Sequence, residues 1–314
     1  MSKFNIYPSL LDKFQELLDY QEVAEQPWNK VSEAAHARGE HLDKEVDDYI
    51  LSPDEIAAKI EVELINTINR CPKEPNEAAD KGTCFNEVID CLINNAPSKR
   101  LDLSIRSIKR QDKNTLIEAK MNGFTFYFDA NMCKAVAEYY KGAICQYLVS
   151  APLDTKYGEV NLYGYIDEWV GDIIYDIKTT SMYNFGKFSD KTQKLVYPFC
   201  AIESGLVGNI ESFEYSVFKW TKTKDYITEV VHCDGLTDNM DDYYKTIDKP
   251  IEVHSAEFFP ECYTYNHSQA TQKLRMICER FIEWLESRKD YITDKKIYNG
   301  ENAVDYIGKP IEQL

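Results

Sequence analysis

The sequence predicts an α/β (α+β) fold, a mixed central sheet flanked by helices, on three observations. Segments of helical periodicity and segments of strand pattern follow one another in the order helix, strands, helix, strand, the order of an α/β sandwich around a mixed sheet. Ile173, Ile174, Tyr175 and Ile177 make a nearly continuous apolar run, as in a strand buried on both faces. The composition, 44% hydrophobic with 22 Tyr and 14 Phe, supplies apolar surface for a sizeable core.

Residues 1–70 read as a helical N-terminal region. Leu10, Leu11, Phe14, Leu17 and Leu18 recur at helical spacing, and Ile56 to Ile68 forms an amphipathic run behind the capping signal Ser52-Pro53-Asp54-Glu55. The stretch Cys71–Asp80, with two prolines, reads as a linker into a core over 71–250. There a helix over 82–95 carries the stripe Phe85, Val88, Ile89, Leu92 and Ile93. Asn114–Phe128 reads as a hairpin turning at Asn122-Gly123, followed by a helix from about Ala130 to Val149. Strands Glu159–Trp169 and Asp172–Thr179 meet at a tight turn around Gly171, and a helix spans Asp190–Glu203. Strands Ser212–Trp220 and Tyr226–His232 come next, then a helix around Thr237–Ile247. Residues 251–314 are expected to form a helical C-terminal extension, with a long helix at Ser268–Lys289 appended to the core.

No stretch approaches the ~20 apolar residues of a membrane span, and the charged, polar start MSKFNIYPSLLDKFQELLDY does not read as a secretory signal. A cytoplasmic setting and no membrane partner are the expectation. The nine cysteines, at 71, 84, 91, 133, 145, 200, 233, 262 and 278, show no CxxC pair and read as reduced and mostly structural. The five histidines show no metal spacing apart from His36 and His41 on an acidic stretch. No Walker loop, GxGxxG or GxSxG is present. The net charge of −17 argues against a broadly basic nucleic-acid binder. Binding depends on local potential, however, and basic residues gather at Lys99, Arg100, Arg106, Lys109 and Arg110, and again at Lys187, Lys191 and Lys194.

The stretch GYIDEWVGDIIYDIKTT, residues 164–180, carries the chemistry. Strand residues two apart share a face, so Asp176 and Lys178 project together, and antiparallel pairing would bring Asp167 alongside. Two carboxylates converging with an ammonium suit a hard divalent cation bound by oxygens. A solvated hairpin with a surface ion pair would show the same short pattern, but the apolar flanks of Asp176 disfavour it.

Asp167 followed by Asp176-Ile177-Lys178 resembles the signature of the PD-(D/E)XK nuclease superfamily, with Ile166 where the eponymous proline often stands. Gln193-Lys194-Leu195-Val196-Tyr197 is similar to the QxxxY motif of its RecB-type and phage lambda-type exonuclease branch. GTCFNEVID (82–90) resembles that branch's upstream helix, which opens with Gly-Thr and carries a His or Glu metal ligand four residues after the Gly. YPSLLDKF resembles the short Ser-Leu helix with which many members begin, and FEYSVFKWTKTKDYITEVV (213–231) resembles the closing hairpin of exonuclease VIII-like phage proteins.

The resemblance spans about residues 80–250 and implies a restriction-endonuclease-like core and a DNA exonuclease of phage recombination or repair type. It implies Mg2+ or Mn2+ held by Asp167, Asp176 and the backbone carbonyl of Ile177, with Lys178 as the catalytic lysine. Gln193 would orient the lysine or the phosphate, and Tyr197 would brace its helix and approach DNA. Where relatives place His or Glu this chain has Asn86, with Glu87 beside it, so either is a candidate ligand. The iron–sulfur cluster of some relatives is not expected, because its closely spaced cysteine trio is absent. Partners implied are DNA, a single-strand annealing or recombinase protein, and further copies of the chain in a ring. Two alternatives stay open: an endonuclease on the same fold, and a catalytically silent scaffold that binds a recombination partner.

Overall fold

The computed structural model describes residues 4–24, 53–109, 115–233 and 243–298. It is a mixed α/β structure in which a nine-stranded mixed sheet carries helices on both faces. In chain order the elements are β1 (Phe4–Ile6), α1 (Pro8–Ala24), α2 (Pro53–Ile68), α3 (Glu77–Asn94), β2 (Leu103–Lys109), β3 (Thr115–Met121), β4 (Phe124–Asp129) and α4 (Ala130–Tyr139). There follow β5 (Ile144–Thr155), β6 (Gly158–Val170), β7 (Ile173–Thr180), α5 (Gln193–Glu203), β8 (Ser212–Cys233), β9 (Tyr243–Thr264) and α6 (His267–Ser287).

Local chemistry accounts for several boundaries. Asn76 caps α3 by accepting from the amides of Ala78 and Ala79, and the helix ends on Asn95 in the left-handed region at φ 47°. Asp129 caps α4 through the Met132 amide. That helix stops at Tyr139 instead of running to Val149, because Gly142 takes φ +82° and the following Ile144–Thr155 pairs with β6 as β5. The two strands expected between Ser212 and His232 are one strand of 22 residues, β8, paired along its whole length with β9. No turn-forming Gly, Pro or Asn interrupts the bridging Thr221–Asp225. Tyr243–Ile247, expected in a helix, is strand; the rest of that expected helix, residues 237–242, lies outside the described residues. Ile251–Thr264 is strand rather than helix for the same reason: its partner β8 overrides local propensity.

The sheet order is β1-β6-β7-β8-β9-β4-β3-β2, with β5 on β6. One edge of β6 is covered by β5 from Gly158 to Trp169. The other edge is shared: β1 pairs with Val160–Leu162, and β7 pairs only with Glu168–Val170. Residues 163–167 of β6 lie between these two partners and are paired to neither. This gap positions the site.

On one face, α1, α2, α5 and α6 bury Leu10, Phe14, Leu64, Val196, Phe281 and Leu285 against Leu162, Ile166, Ile174 and Val217. α6 is therefore part of the main core and not an appendage; Phe281 meets Phe14 edge-on with ring centres 5.4 Å apart. On the other face, α3 and α4 pack Phe85, Val88, Ile89 and Cys133 against Ile177, Phe218 and Trp220. No helix of the described residues is long and apolar enough to cross a membrane. Among the described cysteines, Cys84, Cys133, Cys200 and Cys278 are buried and unbridged.

Candidate active site

The β6–β7 ladder runs Val170↔Ile173, Trp169↔Ile174, Glu168↔Tyr175 and stops. Asp167 and Asp176 would form the next pair. Instead the strands splay, and the Asp167 carboxylate takes over the ladder's work: its Oδ2 accepts the amide of Ile177 at 2.9 Å. On β5, Gln146 sits opposite Asp167 with φ 50°, a left-handed conformation uncommon for a residue with a side chain, and drops out of the β5–β6 register. Its amide donates to Asp167 Oδ1 at 3.4 Å.

Asp176 and Lys178 project from β7 toward α5. Lys178 Nζ lies 2.6 Å from Asp176 Oδ2, and Gln193, the first residue of α5, donates to Asp176 Oδ1 at 2.7 Å. The Gln193 amide also reaches the Tyr197 hydroxyl at 3.5 Å, one turn along the helix. Tyr197 packs on Gly164 so closely that a Cβ there would stand 2.6 Å from its Cε1, which is why only glycine fits at that point of β6. α5 is itself held by α1. Asp12 Oδ1 accepts both the amide and the hydroxyl of Thr192, at 2.7 and 2.8 Å, supplying the cap that Thr192's own side chain does not.

Asp176 is only 2% exposed. Burial pushes its carboxyl up to about 7, with the Lys178 ammonium opposing and Asp167 adding to the rise. Burial likewise raises Asp167, opposed by Lys178, the Ile177 amide, Gln146 and Asn86. Burial alone would lower Lys178, but Asp176 and Asp167 outweigh it and hold the ammonium charged.

Asp167, Asp176, Ile177, Lys178, Gln193 and Tyr197 thus come together, with Asn86 beside Asp167 from α3. Asn86 Oδ1 is buried with no hydrogen-bond partner. Glu87 is turned elsewhere, accepting the Ser98 hydroxyl at 2.6 Å. One turn beyond Asn86, Asp90 faces Glu168; both carboxyls are buried, and burial raises both. The sequence reading missed Asp90, Gln146 and Glu168. The i, i+4 spacing of Asn86 and Asp90 was the available signal for the first. Gln146 carried none.

Of the basic groups, Arg106 forms a two-pronged pair with Glu118 and Arg100 with Asp102, so neither is a free cation. Lys194 is tied to the Ser189 carbonyl and lies over the Tyr263 ring. Arg110, His36 and His41 fall outside the described residues. Beside the carboxylates, over the unpaired stretch of β6, lies a cavity of about 410 Å³. Tyr7, Tyr163, Tyr165, Arg70, Gln193 and Tyr197 line it. Gln193 and Tyr197 therefore face both the cavity and the carboxylate cluster.

Among the described residues no three Asp, Glu, His or Cys side chains gather as a metal cage. The donors at hand are two carboxylates, a carbonyl and an amide oxygen, a set of hard oxygen ligands. The unpartnered Asn86 Oδ1 fits such a group as a further ligand. Neither a known family model nor a curated protein matches the chain.

Proposed function

We propose that this protein is a metal-dependent DNA nuclease of the PD-(D/E)XK type, acting as an exonuclease at strand ends. One observation carries the reading: a buried carboxylate, a half-buried one, a charged lysine and a helix-borne glutamine meet at the point where β6 and β7 part. Buried charge of this kind needs a reason, and in a cleft that reason is commonly catalysis.

Asp167, Asp176 and the Ile177 carbonyl would hold Mg2+ or Mn2+, with Asn86 Oδ1 as a further ligand. When bound, the cation would polarise a phosphodiester and lower the pKa of an attacking water. Lys178 would stabilise the negative charge that develops on the phosphate. Gln193 keeps Asp176 oriented, and Asp12 keeps Gln193 in place through the start of α5. The adjoining cavity falls within the size range of small-ligand pockets and, lined with tyrosines, suits a terminal nucleotide; Arg70 on its wall is paired with Asp294 at 3.1 Å.

The test is incubation of labelled linear duplex with the wild-type protein, with and without magnesium. Magnesium-dependent degradation is expected. Asp176→Asn and Lys178→Ala should each lower the rate ~10²-fold or more with the fold intact by circular dichroism. Normal cleavage by either variant removes the assignment.

A further inference from the structure

β5 holds an irregularity that its own pairing does not require. Four described residues other than glycine have a left-handed backbone: Arg70 just past α2, Asn95 at the end of α3, Asn122 in the β3–β4 turn, and Gln146. The first three stand where a helix ends or the chain reverses, and such backbone is ordinary there. Gln146, at φ 50°, alone lies inside a strand. The β5–β6 ladder keeps one register on both sides of it, Cys145 with Glu168 and Tyr147 with Ile166, so the pairing has no extra residue to absorb. Glycine would take this φ freely and glutamine does not, and strain of this sort persists only where the surroundings hold it.

What the strained backbone achieves is the aim of the side chain. The Gln146 amide donates to Asp167 Oδ1 at 3.4 Å, and the same side chain reaches Asp90 on α3. Asp167 Oδ2 is occupied by the Ile177 amide at 2.9 Å. Each oxygen of Asp167 therefore has one donor, which fixes the plane of the carboxylate and leaves lone pairs on both oxygens. A carboxamide is the side chain suited to stand between Asp167 and Asp90. It brings two N–H donors without charge, whereas a third carboxylate would repel both acids and an ammonium would compete with a cation for Asp167.

We propose that Gln146 is a positioning residue for Asp167, its left-handed backbone aiming the amide so that the carboxylate is held ready for a divalent cation. The proposal rests on the nuclease reading for the cation. The clamp on the carboxylate is separable from that reading, because it is made in the metal-free chain.

The experiment compares the full chain with Gln146→Gly, which accepts the backbone but lacks the amide, and Gln146→Leu, which lacks the amide and keeps the strain. In chelator, hydrogen exchange read by NMR follows the Ile177 amide, whose acceptor is Asp167. Gln146→Gly should speed exchange there ~10-fold while amides along β8 and β9 keep their wild-type rates, and it should melt no lower than Gln146→Leu. Mn2+ titrated calorimetrically should bind both variants ~10–100-fold more weakly than wild type. Wild-type exchange at Ile177 in Gln146→Gly, or Mn2+ bound within about twofold of wild type, overturns the clamp. Faster exchange spread evenly over the sheet overturns it too, since that marks general loosening. A wild-type chain that takes up no Mn2+ sinks the metal reading, and exchange at Ile177 then decides the clamp alone.

Discussion

Asp90 and Glu168 are two acids buried side by side, and their energetics follow from that alone. Burial pushes Asp90 up to about 7, and burial, then Asp167 and Asp90, lift Glu168 well above the usual carboxylate range. A carboxyl whose folded pKa is raised is best accommodated neutral. Its contribution to stability is fully present below its ordinary pKa near ~4 and is lost as pH rises through the folded value. Asp176 shifts in the same sense. The thermal midpoint of the metal-free protein should therefore fall between pH 5 and pH 8. Asp90→Asn keeps the shape without the charge, and should regain about 1–3 kcal/mol at pH 8 and little at pH 5. Melts across that range check it; parallel curves for variant and wild type would show that the acid pair does not set the slope.

Between elements, the joint that matters most is α1 with α5. Thr192 is almost fully buried, and Asp12 satisfies its amide and hydroxyl from 180 residues away in sequence. Removing that acceptor leaves a buried donor unpaired and lets the first turn of α5 fray. Because Gln193 is the next residue and bonds Asp176, the loss should reach the site. Asp12→Ala should lower stability by about 1–3 kcal/mol and cleavage together, and Asp12→Asn, which retains an acceptor oxygen, should recover much of both. Thermal denaturation and single-turnover rates on the same preparations distinguish this from a purely local effect. A variant that loses stability but cleaves normally would uncouple α1 from the catalytic geometry.

For the whole molecule the governing quantity is charge. A chain with net charge −17 binds a polyanion only through a restricted positive surface, and here Arg100 and Arg106 are already neutralised by acids. Lys187 and Lys191 beside the catalytic strand remain on a partly exposed loop. A reading in which DNA enters by its end needs only that small surface. Linear duplex should accordingly be degraded while covalently closed circles survive, and binding should weaken with salt as phosphate contacts release counterions. Lys191→Glu should flatten the salt slope. Closed circles cut as fast as linear DNA would instead support internal cleavage.

What the sequence by itself determined is local. The two-residue alternation of Asp176 and Lys178, the turn at Gly171, the apolar stripe of α3 and the helix bearing Gln193 and Tyr197 all depend on interactions within a few residues, and all are legible in the chain. Of the carboxylate cluster, only the shared face of Asp176 and Lys178 was readable for the same reason. What only the tertiary structure decided is non-local: that β8 is one long strand, that residues after Gly142 form a strand rather than prolonging a helix, and that α6 belongs to the core. The parting of β6 from β7 is of this kind too, since it follows from β1 and β7 dividing one edge of β6 between them. Asp12, Gln146 and Tyr7 reach the site only through those pairings. No periodicity in their own segments marks them, because the partner that gives each one its role is supplied by a distant strand or helix.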